Sequence, residues 1–599
     1  MRTVHTEVLV VGAGPAGLAA TALLARAGVA AVTVSKHPGT AHTPRAHITN
    51  QRTMEVLRDL GLEDEVRALA TPAALMGDNV WATSFAGQEI ARLRTWGTAP
   101  DRAAEYAAAS PSAMCNAPQH LLEPVLRGAA ERGGADLRFA TEMLTIEQDD
   151  DGVTARVLDR ASGEEYLVRA RYAVGTDGGR SRVVEQLGFP LDGESGLGRA
   201  VNVWLEADLT RYTAHRPGVL YWMAQPGNDY WVGSGTWICV RPWTEWVLLF
   251  MYDPAEGDPD LSEEALLARA HLTIGDPSVQ VRIKDVGQWQ INHVVARTYR
   301  RGRVLIAGDA AHRHPPANGL GTNTSIQDAY NLAWKLVLVV RGQAGEALLD
   351  SYDAERQPVG RQVVDRALRS VADMAPISAA LGFRAGQSAD EGRATLGELF
   401  SDTPAGRRRR TELAAAVALQ NHQFNAHGVE LGQRYTSSAT VDDGTPWPVP
   451  DRDPELHLQR TTHPGAPLPH AWLQRAGCRV STLDLARHDG FALLTGIGGG
   501  AWEQAAARVA AEVGVPVDAV RIGPGQPVED VYGDWARLRE VEEAGCVLVR
   551  PDRFVAWRAA EAALDVDAAA ARLRAVLTAV LDRPAVAARV GTGDALAHV

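Results

Sequence analysis

The hexapeptide Gly12-Ala13-Gly14-Pro15-Ala16-Gly17 constrains this 599-residue chain more than any other feature. It follows a short apolar run, Thr6 to Val11, and opens a stretch of helix formers, Ala13 to Ala27; Ala30 to Ser35 is then a second run rich in β-branched residues. Strand, glycine turn, helix and strand in that order make a βαβ unit, which requires a parallel sheet. Glycines let the turn close and let backbone N–H groups approach a pyrophosphate, and the helix that starts there favours the anion at its N-terminus. Gly12, Gly14, Pro15, Ala16 and Gly17 are therefore expected to cradle a dinucleotide, the plainer alternative being a tight turn alone. An acidic ligand for the ribose is missing, since no Asp or Glu occurs between Gly17 and Glu55. Ser35 is expected to bond one ribose hydroxyl, and Lys36 to touch the adenosine end or a phosphate. The motif by itself leaves NAD and FAD both open.

The length calls for more than one domain. Hydrophobic residues at 46% and charged ones at 22% describe a globular chain and exclude a disordered one. With 73 acidic against 60 basic residues there is no positive excess to neutralise phosphates, which argues against nucleic-acid binding. The four cysteines (Cys115, Cys239, Cys478, Cys546) are scattered without a CxxC, so neither a disulfide scaffold nor a structural zinc is expected. No spaced His/Asp/Glu cluster points to a metal. The uncharged stretch from Val8 to Ala25 is broken by Gly12, Gly14, Pro15 and Gly17, so a buried strand running into a helix explains it better than a membrane span. A soluble, cytoplasmic protein without membrane contact is expected.

Further along, Asn50 to Ala70 has helical period, and so has Pro118 to Arg132; alternating strands follow around Leu137–Arg156 and Tyr166–Val174. Between Leu191 and Gln290 tryptophans crowd in (Trp204, Trp222, Trp231, Trp237, Trp243, Trp246, Trp289), and segments such as Gly218–Met223 and Tyr230–Val240 alternate like antiparallel strands. A sheet with an aromatic face is expected there. Arg303–Ala307 returns to a buried strand, and Thr324–Val340 and Ala347–Ala372 are long helices. The basic run Arg407–Arg410 reads as a solvated helix end or linker, and Gly444–Pro454 as a linker.

Two more motifs bear on the cofactor. One is Gly175-Thr176-Asp177-Gly178-Gly179-Arg180-Ser181; the other is Gly308-Asp309-Ala310-Ala311-His312, continuing through Pro315-Pro316-Ala317-Asn318-Gly319-Leu320-Gly321-Thr322-Asn323 into a helix. Asp309 can take a ribityl hydroxyl, and the glycine-rich helix entry places backbone donors near a bound ring. The three motifs together resemble the group A FAD-dependent aromatic hydroxylases. Thr43 to Glu55 and Ser325 to Lys335 are similar to the phenol hydroxylase branch, with its dichlorophenol and hydroxybiphenyl monooxygenases. The resemblance covers most of residues 1–370 and resumes at His463-Pro464-Gly465 and Pro469-His470-Ala471-Trp472, which are similar to the entry of that branch's thioredoxin-like domain.

The resemblance implies an α/β fold in three parts: a discontinuous Rossmann-like FAD domain (1–190 and 285–400), an interleaved, mixed or antiparallel substrate sheet (191–284), and a thioredoxin-like domain (451–599) after a linker region (401–450). It implies FAD as cofactor, NADPH or NADH as co-substrate, and transfer of one oxygen atom from O2, through a flavin hydroperoxide, to a phenolic or polyketide-derived ring. Baeyer–Villiger or epoxidising outcomes, and a non-catalytic flavoprotein, remain as alternatives. A halogenase is disfavoured because Trp289-Gln290-Ile291 is not the required motif. Asp309 and Asp177 would hold the ribityl and phosphate region, Gln119 would lie along the ADP, and Arg45 would steady the flavin. Gly319, Gly321 and Asn323 would face its pyrimidine edge, with Pro316 and Thr322 as further cofactor-binding residues of the same loop.

His47 is the expected acid–base group. It lies in the segment that resembles the family's active-site region, and imidazole, with an ordinary pKa near ~6.5, suits deprotonation of a phenol. The alternative is a structural histidine. His312 and His314 flank the cofactor loop; either could contact a ligand, and His312 is expected to pack or shape the loop instead. Trp222, Met223 and Trp237 are the substrate-pocket candidates from the aromatic sheet. Arg241 would meet the nicotinamide phosphates or stay a surface arginine. The last domain, without a CxxC, is expected to serve packing or a homodimer.

Overall fold

The computed structural model describes residues 1–227, 235–384 and 386–583. Trp231 and the first part of the expected strand Tyr230–Val240, up to Ser234, lie outside the described residues.

The strand Thr3–Val11 lies at the centre of an eight-stranded sheet. It runs parallel to Ala31–Val34 on one side and to Glu165–Gly175 on the other, with Val8 opposite both Ala31 and Tyr172. Asp136–Arg138 and Val304–Ile306 extend the parallel order outward, and Thr141–Gln148 and Val153–Asp159 add an antiparallel flap. Val8, Leu9, Val10, Val168, Val304 and Leu305 are fully buried in its core. Burying each such side chain is worth about 1.5–3 kcal/mol, so this sheet is the stable platform of the molecule. The helix Pro15–Arg26 starts on a Gly14 N-cap with proline in its first turn and closes at Ala27, as the N-terminal proline preference predicts. It packs beside the helix Gly321–Val340, which is buried along almost its whole length.

A second eight-stranded sheet faces this platform. Its order is His312–Arg313, Arg282–Ala296, Leu191–Glu206, Glu245–Tyr252, Gly235–Arg241, Leu220–Met223, Asp78–Ala82, Glu89–Arg94. It is wider than the expected 191–284, because strands from the first hundred residues and from both sides of residue 300 close its edges. A three-stranded patch, Ile48–Thr49, Cys115–Asn116 and Thr71–Pro72, bridges the two layers and sets Ile48 opposite Asn116.

The stretch expected to be a linker is helical instead. Thr403 caps the helix Pro404–Leu419 by accepting the Gly406 N–H, and two short helices, Asn421–Phe424 and His427–Leu431, follow. Phe424, His427 and Glu430 are buried, so this segment is part of the core and not a tether. Its run of alanines and leucines forms helix readily once Thr403 and Pro404 start it.

The last domain has a sheet of order Val517–Arg521, Phe491–Thr495, Cys546–Val549, Val555–Ala559. The first two strands are parallel and joined by the helix Gly500–Val513; the others are antiparallel, and the helix Val566–Val580 packs beside Gly500–Val513. This is a thioredoxin-like arrangement. Cys546 is buried in a central strand, where burial raises its thiol pKa well above the ordinary range, and Cys478 is exposed.

Candidate active site

At the first turn, Gly12 has φ +110°, and a Cβ there would run into the Thr176 carbonyl. The Thr176 hydroxyl donates to the carbonyls of Val11 (3.0 Å) and Gly12 (2.9 Å). A Cβ on Gly17 would strike the Gly12 carbonyl, whereas nothing stands within 4 Å of a Cβ on Gly14. Gly12 and Gly17 thus shape the turn, with Pro15 and Ala16 continuing it into the helix, and Gly14 keeps open space at the helix N-terminus. Such a cradle fits a pyrophosphate. Ser35 is buried and its hydroxyl accepts the His37 N–H (3.3 Å), while Lys36 is exposed.

Directly against the first glycine turn, Asp309 sits in a tight turn of its own, Gly308–Ala310, where a Cβ on Gly308 would lie 3.1 Å from that of Ala16. The turn is tied down from behind by Asp328: the Gly308 N–H (3.0 Å) and His312 Nε2 (2.8 Å) meet its Oδ2, and Arg356 Nε donates to its Oδ1 (2.8 Å). Asp309 itself is exposed, while the protein around it desolvates its carboxyl and pushes its pKa up, against the pull of His312, Arg313 and Arg45. Arg45 is exposed and makes no hydrogen bond or ion pair among the described residues. Gln119 N–H donates to the Ala46 carbonyl (2.9 Å) and Gln119 Nε2 to Glu123 (2.6 Å), so it steadies the loop that carries Arg45. Pro316 is exposed, and Gly319, Gly321 and Thr322 are partly open on the same loop.

Two of the expected cofactor ligands also make hydrogen bonds within the protein. Asp177 accepts the Ser181 hydroxyl (2.5 Å) on one oxygen and the N–H groups of Arg182 (2.7 Å) and Val183 (3.2 Å) on the other. It folds its own turn, beside which Gly178 has open space at its Cβ position. Asn323 is 1% exposed and fully engaged: its Oδ1 accepts the Asn50 N–H (2.9 Å), and its Nδ2 donates to the carbonyls of Ile48 (2.8 Å) and Gly319 (2.6 Å). Through these bonds it clamps the loop after His47 to the glycine loop.

The bridging patch sets His47 beside Asn116. Asn116 Nδ2 donates to the Cys239 carbonyl (3.0 Å), which turns its Oδ1 toward His47 Nδ1 at 2.6 Å. Nδ1 therefore carries the proton and Nε2 keeps its lone pair. Burial lowers the pKa of His47 to about 4, the hydrogen bond to Asn116 opposing it, so the ring is neutral at physiological pH. Composition and motif gave no sign of Asn116. His314 is held by donating Nδ1–H to the Pro315 carbonyl (2.6 Å), and burial lowers its pKa to about 4 as well.

The aromatic sheet corrects two pocket candidates. Tyr221 pairs with Trp237 and Trp222 with Thr236, so Trp222 looks to one face while Met223 and Trp237 look to the other. Trp237 donates its indole N–H to Thr273 (3.0 Å) and packs edge-on against Phe85 and Trp246 beneath the helix Glu263–Ile274. Both Met223 and Trp237 are 0% exposed. Trp222 stays on the cleft side, stacked with Trp81 at 6.3 Å and tilted against Phe424 at the same separation. Phe424 meets Trp96 edge-on. Trp96, Trp81 and Phe424 escaped sequence reasoning because only the tertiary fold brings them to Trp222. Arg241 is exposed and pairs with Glu245 at 3.4 Å.

A glycine turn that fits a pyrophosphate, in one chain with a neutral histidine held by Asn116 and a stacked aromatic sheet, is the equipment of a flavin-type oxidoreductase. A family model for FAD-binding domains matches residues 5–367, and one for the C-terminal part of aromatic-ring hydroxylases matches residues 461–584. The chain belongs to the FAD-dependent aromatic-ring hydroxylases. It is 50% identical to the 2,4-dichlorophenol 6-monooxygenase of Delftia acidovorans over 93% of this chain and 95% of that protein. A solved structure of the flavin-dependent monooxygenase PieE with FAD and substrate superimposes with a TM-score of 0.94, at 51% identity, covering 98% of this chain and 100% of that one. The ternary complex of aklavinone-11 hydroxylase with FAD and aklavinone gives 0.77 at 35% identity, over 96% and 99%. The protein is an FAD-dependent aromatic monooxygenase, with a nicotinamide nucleotide as the usual co-substrate of its family. No described helix is long and apolar enough to cross a membrane.

Proposed function

We propose that this enzyme hydroxylates a phenolic or polyketide-derived ring, with His47 as the base. The balance is one phenol, one O2, one NAD(P)H and one proton giving one dihydroxy product, NAD(P)+ and water. FAD, held by Gly12, Gly14 and Gly17 at the pyrophosphate, by Asp309 at the ribityl chain and by the Pro316–Asn323 loop at the ring, supplies the electron transfer from the nucleotide and the activation of O2. Ser35 and Lys36 attend the adenosine end, and Arg45, without a partner among the described residues, steadies the ring.

The observation that carries this reading is the chain from the Cys239 carbonyl through Asn116 to His47. It fixes the imidazole tautomer so that Nε2 can accept a phenolic proton. With its pKa near 4, His47 does not strip a resting phenol, whose own pKa is near ~10. It holds the O–H in a hydrogen bond and takes the proton as positive charge develops on the ring, when the phenol becomes far more acidic. Sheet residues around Trp222 keep water out. Purified protein should be yellow and should oxidise NAD(P)H faster with a phenol present, the product gaining one oxygen by mass. Yellow protein whose nucleotide oxidation no aromatic compound stimulates overturns the reading.

A further inference from the structure

Two side chains around the candidate site stand on backbone that favours glycine. Asn318, in the loop proposed to hold the flavin, has φ +67°, and Trp96, beside Phe424, has φ +57°. Glycine takes that conformation freely, whereas a tryptophan there is a steric outlier that only its surroundings can hold. Both residues are held by one short segment, the helix Asn421–Phe424 with Asn425 after it. Asn318 Nδ2 donates to the His422 carbonyl (2.7 Å). The Trp96 N–H donates to the Phe424 carbonyl (3.0 Å), and the Gly97 N–H to Asn425 Oδ1 (3.1 Å). Asn425 Nδ2 in turn donates to the Arg94 carbonyl (2.9 Å), so the clamp closes on both sides of Trp96.

The segment joins two walls of the site. On one side Gly319, next to Asn318, lies so close to Ile48 that a Cβ on it would come within 3.0 Å of the Ile48 Cβ, and Asn323 bonds the carbonyls of both. Ile48 directly follows His47. On the other side Phe424 meets Trp96 at 5.6 Å and Trp222 at 6.3 Å. Asn318, Phe424, Asn425 and Trp96 are at most 3% exposed, so the connection runs through packed interior. Asn318 Oδ1 is buried without a partner, which leaves the bond to His422 as the one hydrogen bond its side chain makes among the described residues. That bond is what an asparagine adds at a position where glycine would cost the backbone less. We propose that Asn318 is a positioning residue: through the segment 421–425 it keeps Trp96, Phe424 and Trp222 in register with the flavin loop and His47, so that nucleotide oxidation stays coupled to oxygen transfer. This rests on the hydroxylase reading and goes beyond it. In an uncoupled turnover one NAD(P)H, one O2 and one proton give NAD(P)+ and one hydrogen peroxide.

The test uses the FAD-loaded full chain. Asn318→Gly suits the loop backbone and removes the bond to the segment; Asn425→Ala releases Gly97 at the other end. In Asn318→Gly, amide hydrogen exchange of residues 94–98, with which Asn318 shares no hydrogen bond, should speed up at least ~tenfold while FAD stays bound and the melting temperature stays close to that of the wild type. With phenol or 1-naphthol, whichever the wild type oxygenates, product per NAD(P)H should fall at least ~threefold in either variant, peroxide making up the difference. The double variant should be no more uncoupled than the worse single one, because both cut the same tie. Unchanged exchange at 94–98 in Asn318→Gly overturns the proposal. So does undiminished product per NAD(P)H in that variant, or a double variant whose losses multiply. If the wild type oxygenates no aromatic compound, the hydroxylase reading falls and takes the coupling role with it, while the exchange measurement alone decides whether the tie exists.

Discussion

At the scale of single residues, the site depends on which partner each polar atom has already taken. Nδ1 of His47 is engaged by Asn116, so only Nε2 can meet a substrate. His47→Ala should keep FAD and lose about 10²–10⁴-fold in hydroxylation, the range for a positioned base, measured as product formed per flavin. The folded-state pKa of His47 lies below its ordinary value, so the ring stays neutral as pH falls from 8 until it nears about 4. Hydroxylation should therefore show no acid limb from His47 between pH 6 and 8. Asn116→Asp would put a carboxylate on Nδ1–H, favour the imidazolium and raise that pKa. An acid limb should then move into the range of pH 5 to 7, and a pH–rate profile identical to the wild type would remove Asn116 from its positioning role. Asn323→Ala breaks three buried hydrogen bonds and orphans the Asn50 N–H together with two carbonyls. More peroxide per NAD(P)H consumed is expected from it, because the loop after His47 and the glycine loop no longer move as one.

At the scale of elements, the short helix His427–Leu431 carries an unusual group. Glu430 is 3% exposed, its Oε2 has no hydrogen-bond partner, and burial raises its pKa to about 8, with Arg102 pulling the other way. Its unfolded-state pKa is near 4.5, so between about pH 4.5 and 8 the unfolded chain releases a proton that the folded chain retains. Stability should fall by up to about 1.4 kcal/mol per pH unit across that window and level off above it. Glu430→Gln should flatten the dependence, and its advantage over wild type in thermal melts should widen from pH 5 to pH 8; parallel curves would show that Glu430 is ionised throughout. This helix lies in the stretch expected to be a linker, although Thr403 and Pro404 form a start signal that could have been read. The strands of the second sheet were legible from alternation, but which face met the cleft was not. Alternation gives each strand two faces and leaves open how neighbouring strands align, so Trp222 and Trp237 looked equivalent until cross-strand pairing put them on opposite sides. The βαβ unit and its glycine turn were legible because local sterics decide them. Asn116 and Asp328 were not, because their meaning lies in partners that contact them only after folding.

At the scale of the whole molecule, the thioredoxin-like domain is built into the cofactor platform. Arg550 and Asp552 reach from it into the space between the helices Gly321–Val340 and Asp350–Ala372. There Arg550 pairs with Glu355 (2.6 Å) and Asp552 (2.6 Å), and Lys335 donates to the same Glu355 (2.7 Å), with all four side chains at or near zero exposure. Asn331 ties the group to the cofactor helix by donating to both Glu355 (2.7 Å) and Asp552 (3.1 Å). Desolvation lowers the pKa of Lys335 to about 8, opposed by Glu355, so even this cation is retained by its partner. Asp59, from the helix Gln51–Asp59, meets Arg553 on the same face. A buried group of this kind adds little beyond an apolar filling, but losing one member strands the others in low dielectric. Arg550→Met should therefore cost about 3–5 kcal/mol, whereas breaking the exposed pair Arg508–Asp567 should cost at most about 1 kcal/mol. Because the stranded charges touch the helix Gly321–Val340, whose N-terminal loop is proposed to hold the flavin, FAD release, followed by its fluorescence on heating, should shift down together with the unfolding of the last domain. A variant in which that domain melts early while FAD release keeps its wild-type temperature would show that the two halves are merely adjacent, and that the ion cluster holds one domain to the other without holding the cofactor helix in place.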